Sequence, residues 1–143
     1  MVVEKRISGV HVWLALWKTQ KTVELKAFDH INSLGIGPSD FGILEILLHK
    51  GELPVNDIGK KMLLTSGSIT SAVDRVESKG YVARKDHPTD RRVKVVGLTA
   101  KGTKFIKEAF ANHKKAMEET MSPLTANERK LFIKLLKKLR KSK

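Results

Sequence analysis

Apolar side chains recur along this chain with the period of a helix almost everywhere, and with the period of a strand over one short interval. Across residues 4–33, Ile7, Val10, Leu14 and Trp17 fall three and four apart, and Leu25 and Phe28 resume the stripe, which predicts one long helix. Val12, Leu16 and Val23 lie off that stripe, so this helix is expected to bury more than one side. The stretch Leu34-Gly35-Ile36-Gly37-Pro38 ends it, because glycine releases a helix and proline can open the next one. Residues 38–49 predict a second helix with Phe41, Leu44, Leu47 and Leu48 on its apolar face, closed by Gly51. A third, short helix is expected from about Val55 to Leu63, with Ile58 and Met62 four apart. Gly59 inside it costs roughly 1 kcal/mol against alanine, which makes sense where another helix must approach closely.

Thr65 or Ser66 can cap a fourth helix over residues 66–79 through its hydroxyl. Ile69, Ala72, Val73 and Val76 form its apolar face, and Gly80 ends it. The period then becomes two: Tyr81-Val82-Ala83-Arg84-Lys85, a turn, and Val93-Lys94-Val95-Val96-Gly97-Leu98. Thr99 caps a fifth helix of about twenty residues, which Ser122-Pro123 breaks. Thr125 and Glu128 have capping-box spacing and start a sixth, with Leu131, Phe132, Leu135, Leu136 and Leu139 on one face. The fold expected is mainly α with a small β-hairpin.

Charge narrows the choice of partner. The 143 residues carry a formal net charge of +13, and residues 99–143 alone hold +9 of it, from 13 basic and 4 acidic groups. Such an excess suits an acidic partner, double-stranded nucleic acid first and an anionic membrane surface second. There is no cysteine, which excludes disulfides, thiolate metal sites and thiol redox switches and favours a cytoplasmic protein. No apolar run approaches the ~20 residues that cross a bilayer, and the segment from Val12 to Trp17 is too short for a signal peptide.

The order short helix, turn, helix, strand, turn, strand is that of a helix-turn-helix followed by a hairpin wing. Small polar side chains on the outer face of residues 66–79 let a helix approach DNA closely, where long ones would hold it off. Ser66, Ser68, Thr70 and Ser71 can donate to phosphates or base edges, and Arg75 can reach a phosphate or a guanine edge. The same residues would also serve to cover a solvated face. The hairpin tip reads His87-Pro88-Thr89-Asp90-Arg91-Arg92, with more cationic charge than a chain reversal needs. Asp90 can hydrogen-bond the Arg92 guanidinium and hold it extended for a narrow minor groove, while Arg91 meets flanking phosphates. The alternative is a surface ion pair worth ~0–1 kcal/mol.

At this point the sequence resembles the MarR family of winged-helix transcription regulators. The resemblance is carried by Ser66-Gly67-Ser68-Ile69-Thr70, by Val73-Asp74-Arg75-Val76-Glu77-Ser78-Lys79-Gly80-Tyr81-Val82, by Asp90-Arg91-Arg92 and by Leu98-Thr99-Ala100-Lys101-Gly102. It implies a homodimer in which residues 1–37 and 99–143 form a helical dimerisation region. Residues 38–98 would be the winged helix-turn-helix, with recognition by residues 66–79 and wing contacts from Arg92. The chain departs from the family where Ser71 stands in place of a frequent basic residue, and where Gly59 replaces a usual alanine.

The resemblance further implies a small effector, often aromatic, bound between the dimerisation helices and the winged domain. His11, Trp13, Trp17, Phe41 and Tyr81 are the candidate lining, since aromatic walls suit phenolic compounds. Tryptophans on a helix stripe equally suit a core. None of the five histidines stands at metal-ligand spacing with another, so no metal or other cofactor is expected. No paired carboxylates, matched nucleophile and base, or phosphate-cradling glycine loop points to an enzyme. The expected function is a dimeric repressor on a pseudo-palindromic operator with half-sites about 10 bp apart. The rival is a non-specific architectural nucleic-acid protein without a ligand, motivated by the basic C-terminal third.

Overall fold

A computed structural model of the chain describes residues 6–62 and 64–141. The elements are α1 (Gly9–Ser33), α2 (Pro38–Lys50), β1 (Leu53–Pro54), α3 (Val55–Met62), α4 (Ser66–Ser78), β2 (Val82–Asp86), β3 (Lys94–Leu98), α5 (Ala100–Thr120) and α6 (Ala126–Lys141). Leu63, the expected last residue of the third helix, lies outside the described residues, as do residues 4 and 5 at the expected start of the first.

Caps set most of the boundaries. The first helix begins at Gly9, later than its apolar stripe suggests, because Ser8 is its cap. The Ser8 hydroxyl accepts from the His11 amide at 3.4 Å, and the Ser8 amide donates to His11 Nδ1 at 3.1 Å. Histidine here plays the reciprocal part that a capping box usually gives to glutamate. Thr65, not Ser66, caps α4, accepting from the Ser68 amide at 3.2 Å. Thr125 and Glu128 make the reciprocal pair expected at the head of α6, at 2.9 and 3.2 Å.

The hairpin pairs Val82 with Leu98 through Asp86 with Lys94, and Tyr81 and Val93 fall just outside it. A third strand, β1, joins the other edge of β3, with Leu53 opposite Val96 and Pro54 opposite Val95. Two residues are too few to show a period, and proline at an edge gives up no ladder bond.

The core lies between α2, α3, α4, the sheet and the first half of α5. Ile43, Leu44, Ile58, Val73, Val76, Val96 and Ile106 are fully buried, each worth roughly 1.5–3 kcal/mol. Gly59 sits at the crossing of α3 and α4, where a Cβ would stand 3.1 Å from Ile69 Cγ2. At the start of α5 the approach is closer still: a Cβ on Gly102 would lie 1.9 Å from the Tyr81 carbonyl oxygen. There Thr99 accepts from the Gly102 amide at 3.0 Å and donates to the Gly80 carbonyl at 2.6 Å, tying α5 to the root of the wing.

Within the single chain, α1 does not bury more than one side. Only Ile31 of α1 is buried, and no residue of α6 is. Val10, Trp13 and Leu25 on α1, and Leu131, Ile133 and Leu135 on α6, are each more than half exposed, as is Ile7 just before α1. Among the described residues, no helix is long and apolar enough to cross a membrane.

Candidate nucleic-acid interface

Helix α4 turns its buried stripe of Ile69, Ala72, Val73 and Val76 inward, which leaves Ser66, Gly67, Ser68, Thr70, Ser71, Asp74 and Arg75 exposed. The outer face near the helix start therefore carries small side chains. The Ser68 hydroxyl accepts from Thr65 Oγ1 at 3.0 Å, and Thr70 donates its hydroxyl back to the Ser66 carbonyl at 2.8 Å. The Thr70 hydroxyl hydrogen, expected to donate outward, is thus donated within the helix, whereas the Ser68 hydroxyl accepts and keeps its own hydrogen to donate.

Two guanidinium groups brace α4. Arg75 forks onto Asp40 of α2, with Nε 3.1 Å from Oδ1 and Nη2 2.9 Å from Oδ1. Asp40 is 4% exposed, whereas the Arg75 side chain is 53% exposed, so the acid is inside and the cation reaches water. The hydrogen bond to Asp40, and then its charge, raise the Arg75 pKa. Arg84 of β2 meets both acids of α4: Nη2 lies 2.6 Å from Asp74 Oδ1, and Nη1 lies 2.7 Å from Glu77 Oε1. Burial works against the Arg84 charge, but the bonds and charges of Asp74 and Glu77 outweigh it and its pKa goes up.

The wing tip is built by short-range bonds. His87 Nδ1 accepts from the amides of Thr89 and Asp90 at 3.2 and 3.3 Å, and the His87 amide donates to the Val93 carbonyl at 3.1 Å. Asp90 Oδ1 accepts from the Arg92 amide at 3.0 Å and from Arg92 Nε at 3.2 Å. The side-chain and backbone hydrogen bonds of Arg92 hold the Asp90 carboxyl below its ordinary pKa. The Arg92 side chain is nevertheless 92% exposed, and Arg91 is exposed beside it. A groove lined by Asn56, Thr70, Arg84, Arg92 and Lys94 runs between α4 and the wing.

Asp40, Glu77 and Arg84 escaped the sequence reading as parts of this surface, and Asp74, on the outer face of α4 by its spacing, had no partner assigned. Only Arg84 carried a signal: it shares the alternation of Val82 and so faces α4, where Asp74 and Glu77 stand three apart on one side. Asp40 and Arg75 are 35 positions apart and have none.

The five aromatic candidates are not brought together. His11 is a capping residue, and Trp13 and Trp17 lie open on α1. Phe41 is in the core with its ring edge-on to His113, the centroids 5.1 Å apart. Tyr81 stacks on Phe105 at 4.5 Å, with Lys101 Nζ above it. A large apolar hollow opens instead between the first half of α1 and α6, lined by His11, Leu16, Val23, Phe132 and Leu136. Among the described residues no cluster of three or more metal-ligating side chains occurs. His30 and His113 do meet across α1 and α5, their Nδ1 atoms 3.2 Å apart, over a separation of 83 residues that hides them in the sequence.

A short helix, a turn, a second helix with a small-residue outer face and a two-stranded wing with a cationic tip define a winged helix-turn-helix DNA-binding protein. The chain belongs to the MarR family. Residues 36–94 match the profile of that family. HTH-type transcriptional regulator MhqR of Bacillus subtilis is 36% identical over 92% of this chain and 90% of its own length. A mutant MarR of E. coli complexed with operator DNA superposes with a TM-score of 0.78 at 23% identity, covering 93% of this chain and 99% of the other. NadR in complex with 4-hydroxyphenylacetate superposes with a TM-score of 0.76 at 21% identity over the full length of both chains.

Proposed function

We propose that the protein is a homodimeric, sequence-specific repressor that a small aromatic effector releases from a pseudo-palindromic operator. The observation that carries this reading is Arg92, almost wholly exposed yet held by Asp90, on a wing beside a helix whose outer face is small and polar. On this reading residues 38–98 read DNA. Ser66, Ser68, Thr70, Ser71 and Arg75 enter the major groove, while Asp90, Arg91 and Arg92 act at the minor groove and its phosphates.

Residues 1–37 and 99–143 supply the dimerisation region. The apolar faces of α1 and α6 that lie open in one chain support this, because a patch of this kind on a soluble domain marks an interaction surface. Two copies related by a two-fold axis then require two half-sites. The phenolic acid in the NadR complex supports an aromatic effector; of the candidate contacts His11 lines the apolar hollow between α1 and α6, while Trp13, Trp17, Phe41 and Tyr81 stand apart from it. The +9 of residues 99–143 adds long-range steering toward DNA.

Selection of bound DNA from a random pool, followed by footprinting with and without phenolics and quinones, tests the reading. The expected result is a two-fold symmetric footprint about one helical turn between half-site centres, steeply weakened by salt and lost with an effector. Equal affinity for operator and random DNA would favour architectural binding and overturn the proposal.

A further inference from the structure

We infer that Arg84 is a positioning residue for DNA recognition, acting through Asp74 and Glu77 and touching no DNA itself. The inference rests on the reading of α4 and the wing as the DNA-binding surface. Helix α4 carries two acids, and both are substantially exposed, Asp74 at 62% and Glu77 at 40% of their side chains. Two carboxylates on a helix that approaches phosphates oppose binding. Arg84 answers both with one guanidinium, at 2.6 and 2.7 Å, and is itself only 22% exposed.

The same contact fixes geometry. Glu77 Oε2 also accepts from the Arg84 backbone amide at 3.2 Å, so α4 grips the strand as well as its side chain. Strand β2 leads directly to the tip, with Asp86 paired to Lys94 as the last rung before it. The covalent link from α4 to β2 is a turn at Gly80, φ +79°, in which the Gly80 and Tyr81 amides donate to the Glu77 and Val76 carbonyls; it fixes the root of the wing, and Arg84 adds a contact further along β2 toward the tip. Arg84 therefore does two things at once: it masks the acids of the recognition helix and holds the wing at one distance from it. It lines the groove between them together with Arg92 and with Lys94, which pairs with Asp86, and both of those side chains are more exposed than its own.

The test is a double-mutant cycle on the full chain with its selected operator: wild type, Arg84→Gln, the pair Asp74→Asn with Glu77→Gln, and the triple variant, each checked by circular dichroism melting. Arg84→Gln is expected to weaken operator binding about tenfold or more, as unmasked like charges at an interface do. The acid pair is expected to bind within about threefold of wild type, the lost bridge to the wing offset by the removal of two negative charges, and adding Arg84→Gln to it to change little, because the residue then has nothing to mask or grip. A loss of the same factor in both backgrounds would make Arg84 a direct phosphate contact and overturn the inference. So would a folded Arg84→Gln protein with unchanged affinity, even with a lower melting temperature, which would leave only a structural strut. If Arg84→Gln does not fold, Arg84→Lys in the two backgrounds reads the same coupling. A wild-type protein that prefers no DNA sequence would instead defeat the underlying DNA-binding proposal, a failure seen before any variant is made.

Discussion

Replacing Arg75 by alanine strips the cation from a carboxylate that the fold has taken out of water. Asp40 is 4% exposed and receives Nε and Nη2 of Arg75 at 3.1 and 2.9 Å, while the arginine side chain is 53% exposed. An ion pair with both members in water is worth ~0–1 kcal/mol. Breaking a fully buried pair by removing one member costs roughly 3–5 kcal/mol, because the other is left charged and unsolvated. This pair stands between those limits, since only its acid end is buried, so Arg75→Ala should lose about 2 kcal/mol. The reverse change is milder. Asp40→Asn keeps the shape and an acceptor and leaves a guanidinium that water can reach, at a cost of about 1 kcal/mol or less. Part of that smaller loss comes from removing a negative charge in the first turn of α2. The assay is urea and thermal denaturation at one fixed protein concentration, because any association of chains makes the melting point depend on concentration. Roughly 2 kcal/mol should appear as a fall of about 4–8 °C in a chain of this size. The reasoning is refuted if Asp40→Asn destabilises as much as Arg75→Ala, or if Arg75→Ala stays within about 0.5 kcal/mol of wild type.

Four further outcomes are expected. Arg92→Ala should weaken operator binding about tenfold or more while leaving the melting temperature unchanged, since the side chain is almost wholly exposed; equal gel-shift affinity would remove the wing's assigned role. Gly102→Ala should destabilise by about 3 kcal/mol, because its Cβ would meet the Tyr81 carbonyl at 1.9 Å, whereas Gly67→Ala, with nothing within 4 Å, should gain up to ~1 kcal/mol in the same melts. Burial, and then His30, hold the His113 pKa below the ordinary value of 6.5, so the unfolded chain takes up that proton first. The corresponding stability is complete above pH ~6.5 and falls as pH drops below it, and urea midpoints against pH should show a flatter decline in His113→Gln. Leu135→Glu, on the open apolar face of α6, should shift sedimentation equilibrium toward single chains without loss of helical circular dichroism; an unshifted mass would count against dimerisation through α6.

Much of what depends on residues a few positions apart was already legible along the chain, although the Ser8–His11 cap that starts α1 was not read from it. The helices follow from apolar spacing, and the Thr125–Glu128 box closes over three residues. The hairpin follows from the change of period, and the Asp90–Arg92 contact spans two positions inside one turn. Even the tight crossing at Gly59 was signalled, because a glycine inside a helix has a local cost that only a close neighbour explains. The family resemblance spanned these same short motifs.

What pairs across the fold was not legible, because loop closure brings residues together by packing that no local period records. Asp40 meets Arg75 over 35 positions and His30 meets His113 over 83. Arg84 bridges to Asp74 and Glu77 only once the wing has folded against α4, and β1 is a strand only because β3 has a free edge beside it. The stripes on α1 and α6 predicted burial, and the sequence could not say against what; the tertiary structure leaves them open in a single chain. Short-range geometry and solvent preference are written residue by residue, so the sequence by itself determined the elements and their apolar faces. Which polar side chains those faces bring within hydrogen-bond distance of one another was decided only when the helices packed.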